Sequence, residues 1–328
     1  MLNRKNLPIW IVLFVVLLGG VIYALSHKKK KSERNFKLEL VDVPVKEIDK
    51  IVFQLPHASY PFVFTKKSGE WKITVNGKHY DVDTLLIRRM LRSCTNMRSL
   101  RVVASDASRW AEYKVADTNA THVEYFVKGE KEAGLYVGNY YYLAQQSQNS
   151  LQNSRGEGIM TTYVREEGSP KTYSVSGYLQ SNFTDDVTYY RRKNLFKARK
   201  TKITRVYAEF ADGMKYDIRR VRPGVFTIDG MPADSNAISK FFHAADNINS
   251  RDLLDDVDPS QLPSAYDMIR FEGENISPVV VKAYAVEDER NHVLTSSANP
   301  GAYFGDPINR LYRMMFKSRD FYLGKAPR

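Results

Sequence analysis

Cysteine and histidine are scarce in this chain, and neither occurs at the spacings that are typical of disulfide or metal sites. The single cysteine, Cys94, allows no intramolecular disulfide, and its position among helix-spaced apolar residues predicts a small buried core residue. The six histidines stand singly, without a His-x-His pair, a His-Glu-x-x-His motif or a Cys/His cluster. The sequence therefore suggests no metal site.

Motifs for phosphate binding and for nucleophilic catalysis are also missing. The chain has no P-loop, no Gly-x-Ser-x-Gly elbow and no dinucleotide fingerprint. The carboxylate pairs Asp185-Asp186 and Asp255-Asp256 are adjacent in sequence, so on a strand their members point to opposite faces and make poor acid/base pairs. We therefore expect a non-enzymatic protein with no catalytic residue, no cofactor and no small-molecule substrate.

Negative charge is in deficit, since the formal net charge is +12. Half of this excess lies in the first 34 residues, which carry seven basic residues and one acidic residue. The charge therefore belongs in large part to the flanks of an apolar segment, and we expect no nucleic-acid partner. The basic residues that follow this segment directly are Lys28, Lys29, Lys30 and Lys31.

That apolar segment, Ile9 to Leu25, has seventeen residues without a charge. With its neighbours it is long enough to cross the hydrocarbon core as a helix of about 30 Å. Trp10 and Tyr23 lie near its ends, where such rings favour the headgroup level, and Gly20 and Ala24 form a small-xxx-small pair. The sequence predicts a single transmembrane anchor, and a cleaved signal peptide is the alternative.

The orientation of the anchor stays open at this point. Lys28 to Lys31 outnumber Arg4 and Lys5. Because the flank with more basic residues usually stays in the cytoplasm, this count places the large body there. A very short, basic amino-terminal tail is also the usual form of a signal anchor that exports the chain behind it.

Two stretches of the body carry similar landmarks in the same order. Polar and apolar residues alternate from Glu47 to Phe53 and again from Lys202 to Tyr207, as in half-buried strands. A turn glycine then opens an aromatic-isoleucine strand, from Gly69 to Ile73 and from Gly224 to Ile228. Each stretch therefore begins with the same series of predicted strands.

A helix-period apolar stripe follows in each stretch, and then an acidic-serine segment that ends in tyrosine. The stripes are Ile87, Met90, Leu91, Cys94 and Ile238, Phe241, Phe242, Ala245. The acidic-serine segments run from Asp106 to Tyr113 and from Asp258 to Tyr266. We interpret the body as a tandem duplication.

The sequence thus predicts an α+β protein with an N-terminal transmembrane helix and two tandem repeats, each a mainly antiparallel sheet covered by one helix. The domain boundaries are an anchor and basic linker at 1–34, a first repeat at 35–196 and a second repeat at 197–328. At the end of the second repeat, Arg310 to Met315 and Asp320 to Leu323 are expected to be strands.

Two polar stretches are candidate contact sites. The run from Ala144 to Gly158 is polar and without periodicity, which predicts a surface loop or a partner-binding finger. The stretch from Tyr189 to Lys202 holds many cations and no acid, so it is either a solvated connection or a contact patch for an acidic partner or anionic headgroups. The candidate contact residues of this stretch are Arg191, Arg192, Lys193, Lys197, Arg199 and Lys200.

Taken together, these landmarks resemble the domain-of-unknown-function family DUF4340. The resemblance rests on the glycine-aromatic strand, the apolar helix, the acid-Ser-x-x-x-x-Tyr segment, the strand Leu135-Tyr136-Val137-Gly138 and the closing run from Tyr190 to Phe196. It covers about residues 45 to 196 and, more faintly, 201 to 323. Members are membrane-anchored envelope proteins that commonly accompany ABC transporters of the gliding-motility type, and the family offers no known catalytic residues to transfer.

The resemblance implies an accessory or scaffold subunit of a cell-envelope complex in the cytoplasmic membrane, with its body outside the cytoplasm and ABC transporter subunits among its partners. A cytoplasmic body is the alternative location. The alternative function is an envelope enzyme or glycan-binding protein that uses the loop 144–158 and exposed tyrosines.

Overall fold

Mainly antiparallel sheets and a few helices make up the chain in the computed structural model, which describes residues 39–95, 97–144, 158–287 and 291–325. The predicted anchor segment from Ile9 to Leu25, including Trp10, Gly20, Tyr23 and Ala24, lies outside these ranges, as do Lys28 to Lys31. The interior of the predicted polar loop, 145–157, lies outside them too. No helix within the four described ranges is long and apolar enough to cross a bilayer.

The first sheet has nine strands in the order β4-β3-β2-β1-β6-β7-β8-β9-β5. Its strands are β1 (Lys50–Gln54), β2 (Phe62–Lys67), β3 (Glu70–Val75), β4 (Lys78–Asp81), β5 (Ser99–Ala104), β6 (Thr121–Val127), β7 (Glu130–Ala144), β8 (Gly158–Glu166) and β9 (Thr172–Ser176).

The second large sheet also has nine strands, in the order β14-β13-β12-β11-β17-β18-β19-β20-β16. If the strands of each sheet are numbered from one to nine in chain order, both sheets have the order 4-3-2-1-6-7-8-9-5. Its strands are β11 (Ile203–Glu209), β12 (Lys215–Arg222), β13 (Val225–Ile228), β14 (Met231–Pro232), β16 (Leu253–Leu254), β17 (Asp267–Gly273), β18 (Ile276–Ala285), β19 (His292–Ser296) and β20 (Tyr303–Gly305).

A third, two-stranded sheet forms from β10 (Asn194–Lys197) and β15 (Asn247–Asn249). Part of the stretch considered above as a solvated connection is therefore a paired strand. Leu195 and Phe196 of β10 are fully buried. Phe196 stacks on Phe271 of β17, with ring centroids 3.9 Å apart. Apolar burial thus fixes β10 in the core of the second half of the chain.

The strand pattern follows from residue alternation. In β3, Trp71 and Ile73 are buried, and in β13 the corresponding Phe226 and Ile228 are buried. Each of these strands enters a hairpin through two residues with positive φ. These are Asn76-Gly77, with φ of 48° and 72°, and Asp229-Gly230, with φ of 48° and 82°. A two-residue turn of this kind matches the twist of paired strands and favours Asn-Gly and Asp-Gly.

Two amphipathic helices, α1 (Thr84–Thr95) and α4 (Ser235–Ala245), confirm the predicted apolar stripes. Asp83 begins α1, since its carboxylate accepts a hydrogen bond from the backbone N–H of Leu85 at 2.9 Å. Asp234 begins α4 in the same way, from the N–H of Ala237 at 2.7 Å. Both caps satisfy amides that the helix itself leaves unpaired. All eight stripe residues are buried: Ile87, Met90, Leu91, Cys94, Ile238, Phe241, Phe242 and Ala245.

Four shorter helices complete the described chain, and two of them correct the sequence prediction. They are α2 (Trp110–Tyr113), α3 (Val187–Tyr190), α5 (Arg310–Met315) and α6 (Arg319–Tyr322). Both α5 and α6 were expected to be strands, and that expectation was wrong.

The carboxylate of Asp306 explains why α5 is helical. It accepts hydrogen bonds from the backbone N–H groups of Leu311 and Tyr312, at 3.1 and 2.7 Å. Leu311 and Met315, four residues apart, both enter the core. The second half therefore buries α4, α5 and α6, where the sequence predicted a single covering helix.

The chain folds into two compact units that interleave along the sequence. The first consists of the described residues before 47 with 92–123 and 132–181. A cluster of Ala104, Tyr113 and Val115 lies in it, with Trp110 and Tyr136 packed against the cluster.

The second unit consists of 47–91, 124–131 and the described residues from 182 to 325. Its strands β1 and β2 contribute Phe53, Phe62 and Phe64, whose rings lie 5.2–6.0 Å from that of Tyr190. The hydroxyl of Tyr190 donates to the carbonyl of Asn182 at 2.9 Å, and burial raises its pKa. Tyr190 is therefore a packed core residue.

The cap of α4 gives a direct test of the fold. Asp234→Ala removes the acceptor for the Ala237 amide and should lower the free energy of unfolding by about 1 kcal/mol. Asp234→Asn keeps a capping oxygen and should retain most of that stability. Urea denaturation of the purified protein compares the two variants. An equal loss for both would mean that the carboxylate charge, and not the cap, stabilises this end of the helix.

Candidate basic groove

The segment that follows Tyr190 runs through the second unit and is held along both sides. Val82 and Arg191 form an antiparallel bridge, and the amide of Arg192 donates to the carbonyl of Asp81 at 2.9 Å. On the other side the side-chain amide of Asn299 donates to the carbonyl of Arg192 at 2.9 Å. The backbone of this segment is therefore held by hydrogen bonds on both sides.

Arg191 is a buried structural cation. Its guanidinium side chain is 8% exposed, donates to the carboxylate of Asp255 at 2.8 Å and lies 4.2 Å from the ring centroid of Tyr80. A buried guanidinium needs a counter-charge and hydrogen-bond partners, and here a carboxylate and an aromatic face supply them. Arg192 is paired as well, with Glu70 at 2.8 Å.

Beyond these two arginines the segment opens into a groove of about 1370 Å³. The N-terminal turn of α1, the end of α3, the strands β10 and β15, and the first residue of α5 line it. Its lining residues are Asp83, Thr84, Leu85, Leu86, Arg89, Asp186, Thr188, Tyr189, Arg191, Arg192, Lys193, Asn194, Lys197, Asn247, Asn249, Ser250, Arg251 and Arg310.

The groove carries an excess of positive charge, with seven basic and two acidic residues in its described lining. Both acids are occupied by helix caps: Asp83 accepts from the Leu85 amide, and Asp186 from the Thr188 amide at 2.8 Å. In the part of the chain that the structure describes, five of the cations have no carboxylate within ion-pair distance. They are Arg89, Lys193, Lys197, Arg251 and Arg310.

Lys193 is partly buried within this groove. Partial burial, and then the nearby positive charge of Arg251, lower the pKa of its amine. Its Nζ donates to the carbonyl of Tyr189 at 3.1 Å, which is a neutral acceptor. Burial is the larger cause of this depressed pKa, and repulsion from Arg251 adds to it. An anion in the groove would relieve that repulsion.

The candidate contact residues divide between this groove and open surface. Lys193 and Lys197 line the groove, and so do Arg191 and Arg192, whose charges are already paired. Arg199 and Lys200 are exposed and are not part of the lining. Sequence reasoning missed Arg89, Arg251 and Arg310. They come from three elements far apart in the chain, and no local spacing marks them as neighbours.

A second concave site lies on the outer face of the second large sheet, with a volume of about 560 Å³. Tyr266, Tyr284 and Tyr303 line it together with Lys282 and short polar side chains. Tyr266 and Tyr284 lie 5.3 Å apart, and the amine of Lys282 is 4.1 Å from the ring centroid of Tyr266. A hydrogen bond with Tyr266 raises the pKa of Lys282, so this lysine stays charged.

A packed cluster follows a similar 3-10 helix in the first unit. There the guanidinium of Arg165 lies 3.8 Å from the ring centroids of both Trp110 and Tyr136, and its Nε donates to the carbonyl of Val115 at 2.9 Å. Both sites follow a 3-10 helix capped by an aspartate, Asp106 in the first and Asp258 in the second. The same local frame therefore holds a packed cluster in one unit and a cavity in the other.

The Arg191 ion pair can be tested through its acidic partner. Asp255→Ala leaves a buried guanidinium without its carboxylate and should lower the free energy of unfolding by about 1–3 kcal/mol. Asp256→Ala, at the neighbouring exposed acid, is the matched control and should change it by less than about 0.5 kcal/mol. Chemical denaturation measures both. Equal effects would show that Arg191 does not depend on Asp255.

Comparison with known proteins points to one family. No curated protein and no solved structure matches the chain. The model of the family described as a domain of unknown function, DUF4340, matches residues 71–267, which is more than half of the chain. This range includes α1, the segment from Tyr189 to Lys202 and most of the groove lining. The resemblance seen in the sequence is thereby confirmed: the chain belongs to the DUF4340 family.

Proposed function

We propose that this chain is a non-enzymatic, membrane-anchored scaffold subunit of a cell-envelope complex that contains an ABC transporter of the gliding-motility type. The observation that carries the proposal is the basic groove, where five cations have no carboxylate within ion-pair distance among the residues that the structure describes. Such a surface holds a partner through charge complementarity.

The body is proposed to be a tandem duplication. Support comes from the identical strand order of the two large sheets and from the helix that follows the fourth strand in each. The matching positive-φ turns and the aspartate caps of the 3-10 helices add independent correspondences. A duplicated sheet framework offers large surfaces for partners, which suits a scaffold.

The anchor and the location are part of the same proposal. The uncharged run from Ile9 to Leu25 supports a single transmembrane helix in the cytoplasmic membrane. The sequence resemblance to envelope proteins supports a body outside the cytoplasm, and a cytoplasmic body is the alternative.

Purification from native membranes tests the scaffold role. The tagged full chain, extracted in mild detergent, should bring down integral-membrane partners, ABC transporter subunits among them, in a fixed proportion. The proportion should persist through gel filtration, because a scaffold forms a defined complex. Quantitative mass spectrometry of the eluted fractions measures it. Recovery of the chain alone, under conditions that keep other membrane complexes intact, would contradict the proposal.

Protease treatment of spheroplasts is the companion measurement for location. An external body should be digested in intact spheroplasts, while a cytoplasmic marker stays protected. Digestion of the body only after lysis would place it in the cytoplasm.

The second candidate function is glycan binding, and the tyrosine-lined cavity is the observation that favours it. Tyrosine offers an apolar face and a hydroxyl at low conformational cost, and a concave site of this size suits a small ligand. The sequence alternative relied on the loop 144–158 and exposed tyrosines. The cavity places Tyr266, Tyr284 and Tyr303 together on the second sheet instead.

Ligand-observed NMR tests this candidate with a tetramer of β-1,4-linked N-acetylglucosamine as the probe. If the cavity binds the sugar, saturation transfer should appear with the wild-type protein and fall at least about fivefold in Tyr284→Ala. Tyr207→Ala removes a tyrosine of β11 that does not line the cavity, so it should leave the transfer unchanged. Equal transfer in both variants, or none with wild type, would count against the cavity as a glycan site.

A further inference from the structure

The basic groove has features that go beyond general attraction for anions. Its cations come from five separate places in the chain, which are α1, the segment after α3, β10, the segment after β15, and α5, and they line one concavity. Exposed lysines on a convex surface are each solvated separately. Like charges gathered in a concavity repel one another and raise the local potential, which attracts a polyanion.

Apolar and amide groups lie among these cations. Leu85 in the first turn of α1 is 59% exposed, and Tyr189 at the end of α3 is 38% exposed. The amide side chains of Asn194, Asn247 and Asn249 also line the groove. A ligand that fits must therefore present negative charge, apolar groups and hydrogen-bonding groups close together.

We propose that the groove binds an extended acidic peptide segment, in which carboxylates alternate with apolar side chains, on a protein partner of this chain. A peptide carries carboxylates for Lys197 and Arg251, apolar side chains for Leu85 and Tyr189, and backbone amides for the asparagines. A lipid headgroup or an acidic glycan would meet the cations but would offer no apolar group to Leu85, which is 59% exposed.

This inference rests on the proposed scaffold function and specifies the chemistry of its partner. The partner's carboxylates would complete ion pairs that the folded chain leaves open. Arg191 and Arg192 already form ion pairs within the chain, so they support the structure of the groove and do not contact the peptide.

Peptide binding by the full chain in detergent tests the inference directly. The probe is a fluorescein-labelled dodecapeptide of four Glu-Glu-Leu repeats, and its neutral counterpart has Gln in place of each Glu. Fluorescence anisotropy should show binding of the acidic probe and at least about tenfold weaker binding of the neutral one. Binding should weaken as salt concentration rises, because exposed ion pairs are screened.

Two double charge-reversal variants distinguish binding at the groove from attraction by the overall charge of the protein. Lys197→Glu with Arg251→Glu changes two exposed groove cations and should weaken binding of the acidic probe at least about tenfold. Arg199→Glu with Lys200→Glu makes the same change in net charge outside the groove lining, and binding should stay within about twofold. Equal losses in the two double variants would overturn the inference.

Two further variants guard against misfolding and test the apolar contact. Arg89→Gln with Arg310→Gln removes groove charge without reversing it and should weaken binding about threefold or more. Leu85→Ser should weaken peptide binding about two- to threefold without lowering the denaturation midpoint, because Leu85 is exposed. No effect of Leu85→Ser would remove the argument for a peptide over a simple polyanion.

Anionic lipid and acidic glycan probes test the two alternative ligands of the groove. Vesicles of phosphatidylglycerol and oligogalacturonate are offered to the same variants. Groove-dependent binding of either one, without binding of the acidic peptide, would overturn the inference in favour of a lipid or glycan ligand. If membrane partners still co-purify in fixed proportion while the peptide fails to bind, the scaffold proposal stands and this inference fails.

Discussion

The structure around the candidate site depends on one buried cation, Arg191. Its guanidinium is held by the carboxylate of Asp255 and the ring of Tyr80, while its backbone bridges Val82. Removal of a guanidinium from water is costly, so this position tolerates an arginine only because both partners are in place. The result is a strand-like segment whose path through the second unit is fixed residue by residue.

The fixed backbone of this segment determines where its remaining cations, Lys193 and Lys197, lie. Lys193 and Lys197 follow within six residues, and their backbone is held as well. The carbonyl of Lys193 accepts from the Ser250 amide, and Lys197 of β10 pairs with Asn247 of β15. Both lysines line the groove together with Arg251, and partial burial, followed by the charge of Arg251, lowers the pKa of Lys193. The same burial that stabilises the segment thus leaves charge available for a ligand.

Local patterns in the sequence were enough for most of the fold and for little of the site. Alternation predicted β3 and β13, and the two apolar stripes predicted α1 and α4, because these periods depend only on neighbouring residues. The helix α5 was missed because its cap, Asp306, precedes it by four residues and its burial is tertiary. Of the cations in the groove, Lys193 and Lys197 belong to the basic run that the sequence marks as a candidate contact stretch, whereas Arg89, Arg251 and Arg310 converge only through folding.

The two outer sites show how one framework acquires different surfaces. After the aspartate cap of its 3-10 helix, the first unit places Trp110 against Arg165 and fills the space. After its own aspartate-capped 3-10 helix the second unit has Leu262, which lines a cavity together with three tyrosines. In the proposed duplication, backbone order would be kept because strand pairing and buried apolar alternation constrain it, while outward side chains are free to diverge. Binding functions in such a protein therefore reside in outward-facing residues, and strand order alone cannot identify them.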